Sequence, residues 1–410
     1  MFKHKLFSSL LFWVVIAIIA GMLLGLVVPN WFAIPFATFN DIFGKFLGFC
    51  VPLIILGLVA PAIADLGRSA GKWLLVTTGI AYGSTLFAGF GTWLVCALVY
   101  PWLLSGEKLA SLAPPEDAVK SIMDANLTFP PVFGVMTALI LAFVLGVGMA
   151  ATEARTMRAW FDEFRNIMML TIKRAIVPLL PVFIFGIFLN ITLSGQIASI
   201  IVTMLKIIVV AIVLSFVMLA IQYTLSGMIT RQNPVKQFLT MLPAYFTALG
   251  TASSAATIPV TLAQTKKNDV AEEIADFVIP LCATIHLTGS TVKITAFSLA
   301  IIQILDLPVT TMQMVSFIFM LGITMVAAPG VPGGAIAAAQ GVLVGILGFT
   351  DPAYGLMVAL YIAIDSFGTA CNVTGDGAIA LVINKMSKGK LGKEQGRATS
   401  VARDFASSFD

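Results

Sequence analysis

The sequence predicts an all-α polytopic membrane protein with eight transmembrane helices and two re-entrant helical hairpins entering from opposite faces. Three observations predict it. The 410-residue chain is 59% hydrophobic and 11% charged, where a soluble domain carries about 25% charged residues. Apolar runs of roughly 18 residues or more recur, each long enough to cross ~30 Å of hydrocarbon. Finally, the distribution of Lys and Arg leaves two segments that must begin and end on the same side.

The elements follow in order. Lys3 and Lys5 precede an apolar stretch that is longer than a signal-peptide core and lacks an A-x-A cleavage site, so a retained first helix with a cytoplasmic N-terminus is expected. PNWFAIPFATFND has no Lys or Arg and reads as an outer connection, whereas Arg68 and Lys72 place DLGRSAGK inside. The third helix lies near 72–103. The stretch Tyr100 to Pro131, with Glu107, Glu116, Asp117 and Asp124, reads as an outer loop. TEARTMRAWFDEFR is inside, NITLSGQ outside, and RQNPVK, with Arg231 and Lys236, inside. Six helices thus alternate as the positive-inside rule requires.

QTKK, with Lys266 and Lys267, is also basic, yet too few residues separate it from Lys236 for the ~40 that two crossings need. A hairpin over 235–268 resolves the conflict, turning at Ser253 and Ser254 within TALGTASSAATIPV. Helix 7 (271–305) then crosses outward. The strongly basic tail 387–410 lies inside, so helix 8 (353–386) runs inward, and 309–349 must start and end outside. Its centre, AAPGVPGGA, is helix-breaking and marks a second hairpin. Irregular backbone at membrane depth requires burial in protein or a wet cavity. An inverted pair of interrupted segments is the pattern of a transporter site near the midplane.

The last span carries the chemistry. Asp365, Thr369, Asn372 and Asp376 fall at i, i+4, i+7 and i+11, one narrow stripe of a helix. A carboxylate in hydrocarbon costs ~2.5–3.5 kcal/mol or more, so both aspartates need a cation, a ligand ammonium or a basic side chain. NVTGDG invites an unwound turn here. Helix 7 contains PLCATIHLTGSTVKIT, with His286, Ser290 and Lys293 on one face and threonines on the other, which suggests a break around Thr288–Gly289. Lys293 is the only basic residue deep in any span, and Asp376 or Asp365 is its natural counter-charge. Cys50, Cys96, Cys282 and Cys371 each sit alone in apolar runs and show neither disulfide nor metal-ligand spacing.

GTASSAATIPVTL, PLCATIHLTGST, GVPGGA and DSFGTACNVTGD, in that order, resemble the dicarboxylate/amino acid:cation symporter family, which includes the glutamate transporters. The resemblance covers the whole chain and is sharpest over 235–386. It implies a homotrimer and elevator-type alternating access in a bacterial inner membrane. It also implies a scaffold mainly within 1–230, bordered by the third and sixth helices, and a transport core over 231–386. No resident cofactor is implied; Na⁺ is the coupling ion.

By position, the resemblance assigns Asp365 to the substrate ammonium and Asn372 to the substrate carboxylate and, through its backbone, to a sodium site. Asp376 becomes that sodium's carboxylate ligand. Ser253 and Ser254 form the tip that cradles the substrate carboxylate; Val331 and Gly333 belong to the gating tip; Ser290, Gly368 and Thr369 line the substrate site. Thr284, Met325 and Ala328 match a sodium site of backbone carbonyls, Cys282 and His286 lie at the sodium sites, and Tyr82 and Thr85 match third-helix positions around another sodium.

The departures concern specificity. Acidic-substrate members carry an Arg where this chain has Gly368, or in the first hairpin, where it has Ala252. Without that bidentate fork, a neutral, serine- or threonine-like amino acid is expected, with a dicarboxylate or acidic amino acid as the alternative. The family's NMDG motif reads HLTG, with His286 for the Asn and Thr288 for the Asp, which puts one sodium site in doubt and admits proton coupling. Lys293 is a candidate tethered cation in place of one ion. An anion channel is a further alternative. An enzyme is not expected: the two aspartates lie ~16 Å apart along a helix, and no HExxH or serine–histidine motif appears. Nor is a nucleic-acid partner, since the net charge of +4 is spread over short loops.

Overall fold

The computed structural model describes residues 10–68, 72–105, 130–152, 154–193, 197–328 and 333–389. Both termini, most of the acidic outer loop, the basic tail from residue 390 and Val331 lie outside the described residues.

Among the described residues all regular structure is helical. The first six spans are α1 (Leu10–Gly25), α2 (Asn30–Arg68), α3 (Lys72–Leu103), α4 (Val135–Ala151), α5 (Arg155–Thr171) joined through a π-helical turn (Ile172–Ile176) to α6 (Val177–Leu193), and α7 (Ile197–Thr230). These are the six expected crossings, with one difference. Residues 30–41, expected as an outer connection, are the first turns of α2, a 39-residue helix with Pro35, Pro52 and Pro61 inside it. At ~1.5 Å per residue it is far longer than a bilayer is thick. A lack of Lys and Arg cannot tell an uncharged loop from an uncharged helix end.

The first hairpin is α8 (Pro234–Thr251) and α9 (Ser254–Lys267). Asn233 starts it, its side chain accepting from the N–H groups of Val235 and Lys236, with Pro234 at the first helical position. The turn falls at Ala252, held left-handed at φ 48°, and Ser253, whose hydroxyl accepts from Ala256 N. Entry and exit lie side by side: Asn268 Nδ2 donates to Gln237 O at 2.9 Å. The segment is re-entrant.

The second hairpin is α12 (Thr311–Ala327) and α13 (Gly334–Leu347). A capping box between Thr310 and Gln313 starts α12. Gln313 Nε2 also donates to Ile346 O at 3.1 Å, which ties this hairpin's two ends together.

Between the hairpins run α10 (Glu272–Ile285) and α11 (Thr288–Ile304), and after them α14 (Asp351–Ala363) and α15 (Asp365–Ser387). The end of α15 lies beside the open end of hairpin 1, where Asn384 bonds Asp269 O and Ala271 N. Hairpin 2 opens beside the end of α11 and the start of α14, at the other end of those spans. The two hairpins therefore enter from opposite faces.

Both long spans of this half are interrupted, though not where the sequence suggested. The break in helix 7 is at His286–Leu287, and Thr288 already begins α11. Helix 8 is two helices bent by 61° at Ile364, and NVTGDG is not unwound but lies within the unbroken α15. The glycines there serve packing instead. A Cβ on Gly375 would meet Gln222 and His286, and one on Gly289 would overlap the backbone of Gly368. Small residues let α11 and α15 approach backbone to backbone.

Candidate functional site

Breaking four helices inside a membrane creates four helix starts whose N–H groups need partners. These starts are at Ser254, Thr288, Gly334 and Asp365, and the last three are joined through buried polar residues of α15. Two of them are capped in trans by the stripe on α15. Asn372 Oδ1 accepts from Gly289 N at 2.7 Å and Ser290 N at 3.4 Å, at the start of α11. Asp365 Oδ2 accepts from Gly333 N at 2.8 Å, at the tip of hairpin 2. Gly333 has φ 73°, a conformation that suits glycine.

Around these caps lies the first of two polar clusters. Asn372 Nδ2 donates to Ser290 Oγ at 3.2 Å, and Ser290 Oγ lies 3.0 Å from Tyr361 OH. The Lys293 ammonium sits 3.2 Å from Asp365 Oδ1 and 3.8 Å from the centroid of the Tyr361 ring. Asp365, not Asp376, is therefore the lysine's counter-charge. Gly368 lies beneath the lysine chain, and a Cβ there would overlap Lys293 Cε. Thr369 bonds back to Asp365 O at 3.1 Å, which ties it to its own helix.

The second cluster lies further along α15. Asp376 Oδ1 is 2.8 Å from His286 Nδ1, with both residues almost wholly buried. His286 Nε2 lies 3.2 Å from Ser84 Oγ on α3 and 3.3 Å from Gln222 Nε2 on α7. Gln222 also donates to Ser84 at 3.1 Å and Thr288 at 3.4 Å. A ring that donates from Nδ1 and accepts at Nε2 satisfies this set. Close by, Tyr223 OH donates to Thr374 O at 2.7 Å.

The sequence-predicted residues thus divide. Asp365, Gly368, Asn372, Ser290, Gly333 and Lys293 meet in one cluster, and His286 and Asp376 in the other. Ser253 and Ser254 form the hairpin 1 tip, on an arm that packs along α15. Tyr82 OH donates to Phe319 O of α12 at 3.3 Å, and Thr85 bonds to Ala81 O of its own helix. Thr284 likewise bonds within its own helix, to Leu281 O. The carbonyls of Cys282 and Met325 accept from His286 N and Ala328 N, so Met325 and Ala328 are joined at the end of α12. No group of three His, Cys, Asp or Glu side chains converges among the described residues. A hard cation here would draw on backbone carbonyls beside one carboxylate.

Sequence reasoning missed Ser84, Gln222, Tyr223 and Tyr361. Gln222 was accessible to it: an amide within a membrane-length span such as α7 is costly unless it is used.

Comparison with known proteins gives two findings. A family model described as the sodium:dicarboxylate symporter family matches residues 10–386. The chain is also 26% identical over 406 residues to a protein of Acinetobacter baylyi named serine/threonine transporter SstT, covering 95% of this chain and the whole of that protein.

Proposed function

The chain belongs to the sodium:dicarboxylate symporter family, and on that premise we propose that it couples Na⁺ entry to uptake of a neutral, serine- or threonine-like amino acid. It is a multi-pass membrane transporter rather than an enzyme. The observation that carries the choice of substrate is at Gly368. Acidic-substrate relatives project an arginine from this position, but here the lysine chain fills the space any side chain would need. A second carboxylate on the substrate would find no fork to pair with. The printed name of the Acinetobacter relative points the same way. In this reading the ammonium approaches Asp365, the carboxylate meets the helix starts at the hairpin tips, and hairpin 2 gates the site through Gly333. Residues 231–386 move as an elevator against the scaffold of an inner-membrane homotrimer with cytoplasmic termini.

One observation favours a second coupling ion. His286 lies on Asp376, the expected sodium ligand, which fits a proton in place of one Na⁺. The test is uptake of a labelled amino acid panel into proteoliposomes under an inward Na⁺ gradient, an inward proton gradient, or K⁺ alone. Serine or threonine should accumulate only with Na⁺. Na⁺-driven accumulation that an added inward proton gradient raises further selects the second reading. Uptake confined to dicarboxylates overturns the substrate.

A further inference from the structure

The Lys293–Asp365 pair has features of a binding site rather than of a fixed strut. The break at Ile364 turns the carbonyls of Ile364 and Asp365 and the Asp365 carboxylate toward one point. There Lys293 Nζ finds three acceptors: Asp365 Oδ1 at 3.2 Å, Ile364 O at 3.4 Å and Asp365 O at 3.4 Å. The Tyr361 ring lies beneath it at 3.8 Å. Three acceptors and an aromatic face form a cradle for any primary ammonium. All three contacts are long, because charge-assisted bonds favour about 2.7–2.9 Å. By contrast, His286–Asp376 and Gly333 N–Asp365 both lie at 2.8 Å. The lysine is fully buried. Asp365 also joins this cradle to the gate: one oxygen takes the ammonium and the other takes the N–H of the hairpin 2 tip.

We propose that Lys293 is a tethered competitor of the substrate's ammonium group at Asp365: an incoming amino acid displaces the lysine, and the lysine returns when the substrate leaves. This deepens, and rests on, the reading of the substrate as an amino acid. With either ammonium in place Asp365 is neutralised, and Gly333 can close on its other oxygen. Hairpin closure and the return of the unloaded carrier then need no second ion at this point. Gly368 is the position that makes it possible, since any side chain there would displace the lysine.

The test separates two transport modes in proteoliposomes. Net uptake into empty vesicles requires the unloaded carrier to return; exchange between vesicles preloaded with the same amino acid does not. Lys293→Met should lower net uptake at least about tenfold more than it lowers exchange, and tighten the apparent affinity for the amino acid about tenfold. Lys293→Ala with ethylammonium inside the vesicles, where the unloaded carrier begins its return, supplies the missing cation. Ethylammonium should raise the melting temperature of that variant, not that of the wild type, and should restore net uptake. The inference is overturned if Lys293→Met loses both modes equally, or neither, while the wild type transports amino acids. It is also overturned if ethylammonium restores neither folding nor net uptake. Failure of the underlying reading is visible separately, as a wild type that takes up only amine-free carboxylates, and that outcome overturns both.

Discussion

The two aspartates of α15 meet two bases from the same interrupted span, but they are held in different ways. Asp376 bonds His286 at 2.8 Å, and the ring is held in turn by Ser84 and Gln222 from long, unbroken helices. Asp365 holds Lys293 at 3.2 Å, and its other oxygen is bonded to a hairpin tip. One pair is knitted into the helix packing. The other is looser, and its aspartate also holds Gly333 at the start of α13. The contrast teaches that similar buried pairs, about three helical turns apart, suit different tasks: the rigid one fixes a geometry, and the loose one can exchange its partner.

The largest effect that would break this comparison comes from Asp365→Asn. It leaves Lys293 buried without a counter-charge, and breaking one side of a buried pair costs about 3–5 kcal/mol. Uptake should fall at least about 100-fold, with a clear drop in melting temperature. Near-normal uptake would show that Asp365 touches neither substrate nor gate.

Gly368→Ala comes next. A methyl group there overlaps Lys293 Cε, and overpacking of a tight interior costs about 1–3 kcal/mol. Uptake should fall roughly 10- to 100-fold while the protein remains folded. Because the lysine is pushed off Asp365, net uptake should suffer more than exchange. An equal loss of both would place the damage in the packing of α11 on α15 instead.

His286→Asn sharpens the other side. It removes the base from Asp376 Oδ1 and frees that oxygen for a cation. The variant should need Na⁺ for stability, its melting temperature rising with Na⁺ as a ligand that binds only the folded state requires. The expected rise is a few degrees more than in wild type. A melting temperature indifferent to Na⁺ would remove Asp376 from the cation site.

Much of this arrangement was legible in the sequence, and the limits are instructive. The two re-entrant segments could be read because Lys and Arg record sidedness and because a hairpin must fit within a short interval. The stripe from Asp365 to Asp376 could be read because helical periodicity survives in any setting. The break sites were displaced by one or more residues. The cue for helix 7 was Thr288–Gly289, but the start of α11 is capped by Asn372 from another helix, a partner that local sequence does not reveal. NVTGDG looks like a turn, yet its glycines answer the close approach of Gln222, His286 and Met241. The choice between Asp365 and Asp376 as partner for Lys293 likewise needed three dimensions. Spacing alone left both open.

The smallest predicted effect tests how finely the loose pair is tuned. Tyr361→Phe keeps the ring under the ammonium and removes only the hydroxyl that meets Ser290 at 3.0 Å. A neutral buried hydrogen bond contributes about 0.5–1.5 kcal/mol, so substrate affinity should weaken roughly two- to tenfold, through Ser290 and Asn372. The ratio of net uptake to exchange should stay at its wild-type value, because the cation cradle keeps its aromatic face. Tyr361→Leu removes that face as well, and only this variant should shift the ratio. If Phe shifts it too, the hydroxyl and not the ring holds the lysine in register, and the cradle extends through Ser290 to Asn372.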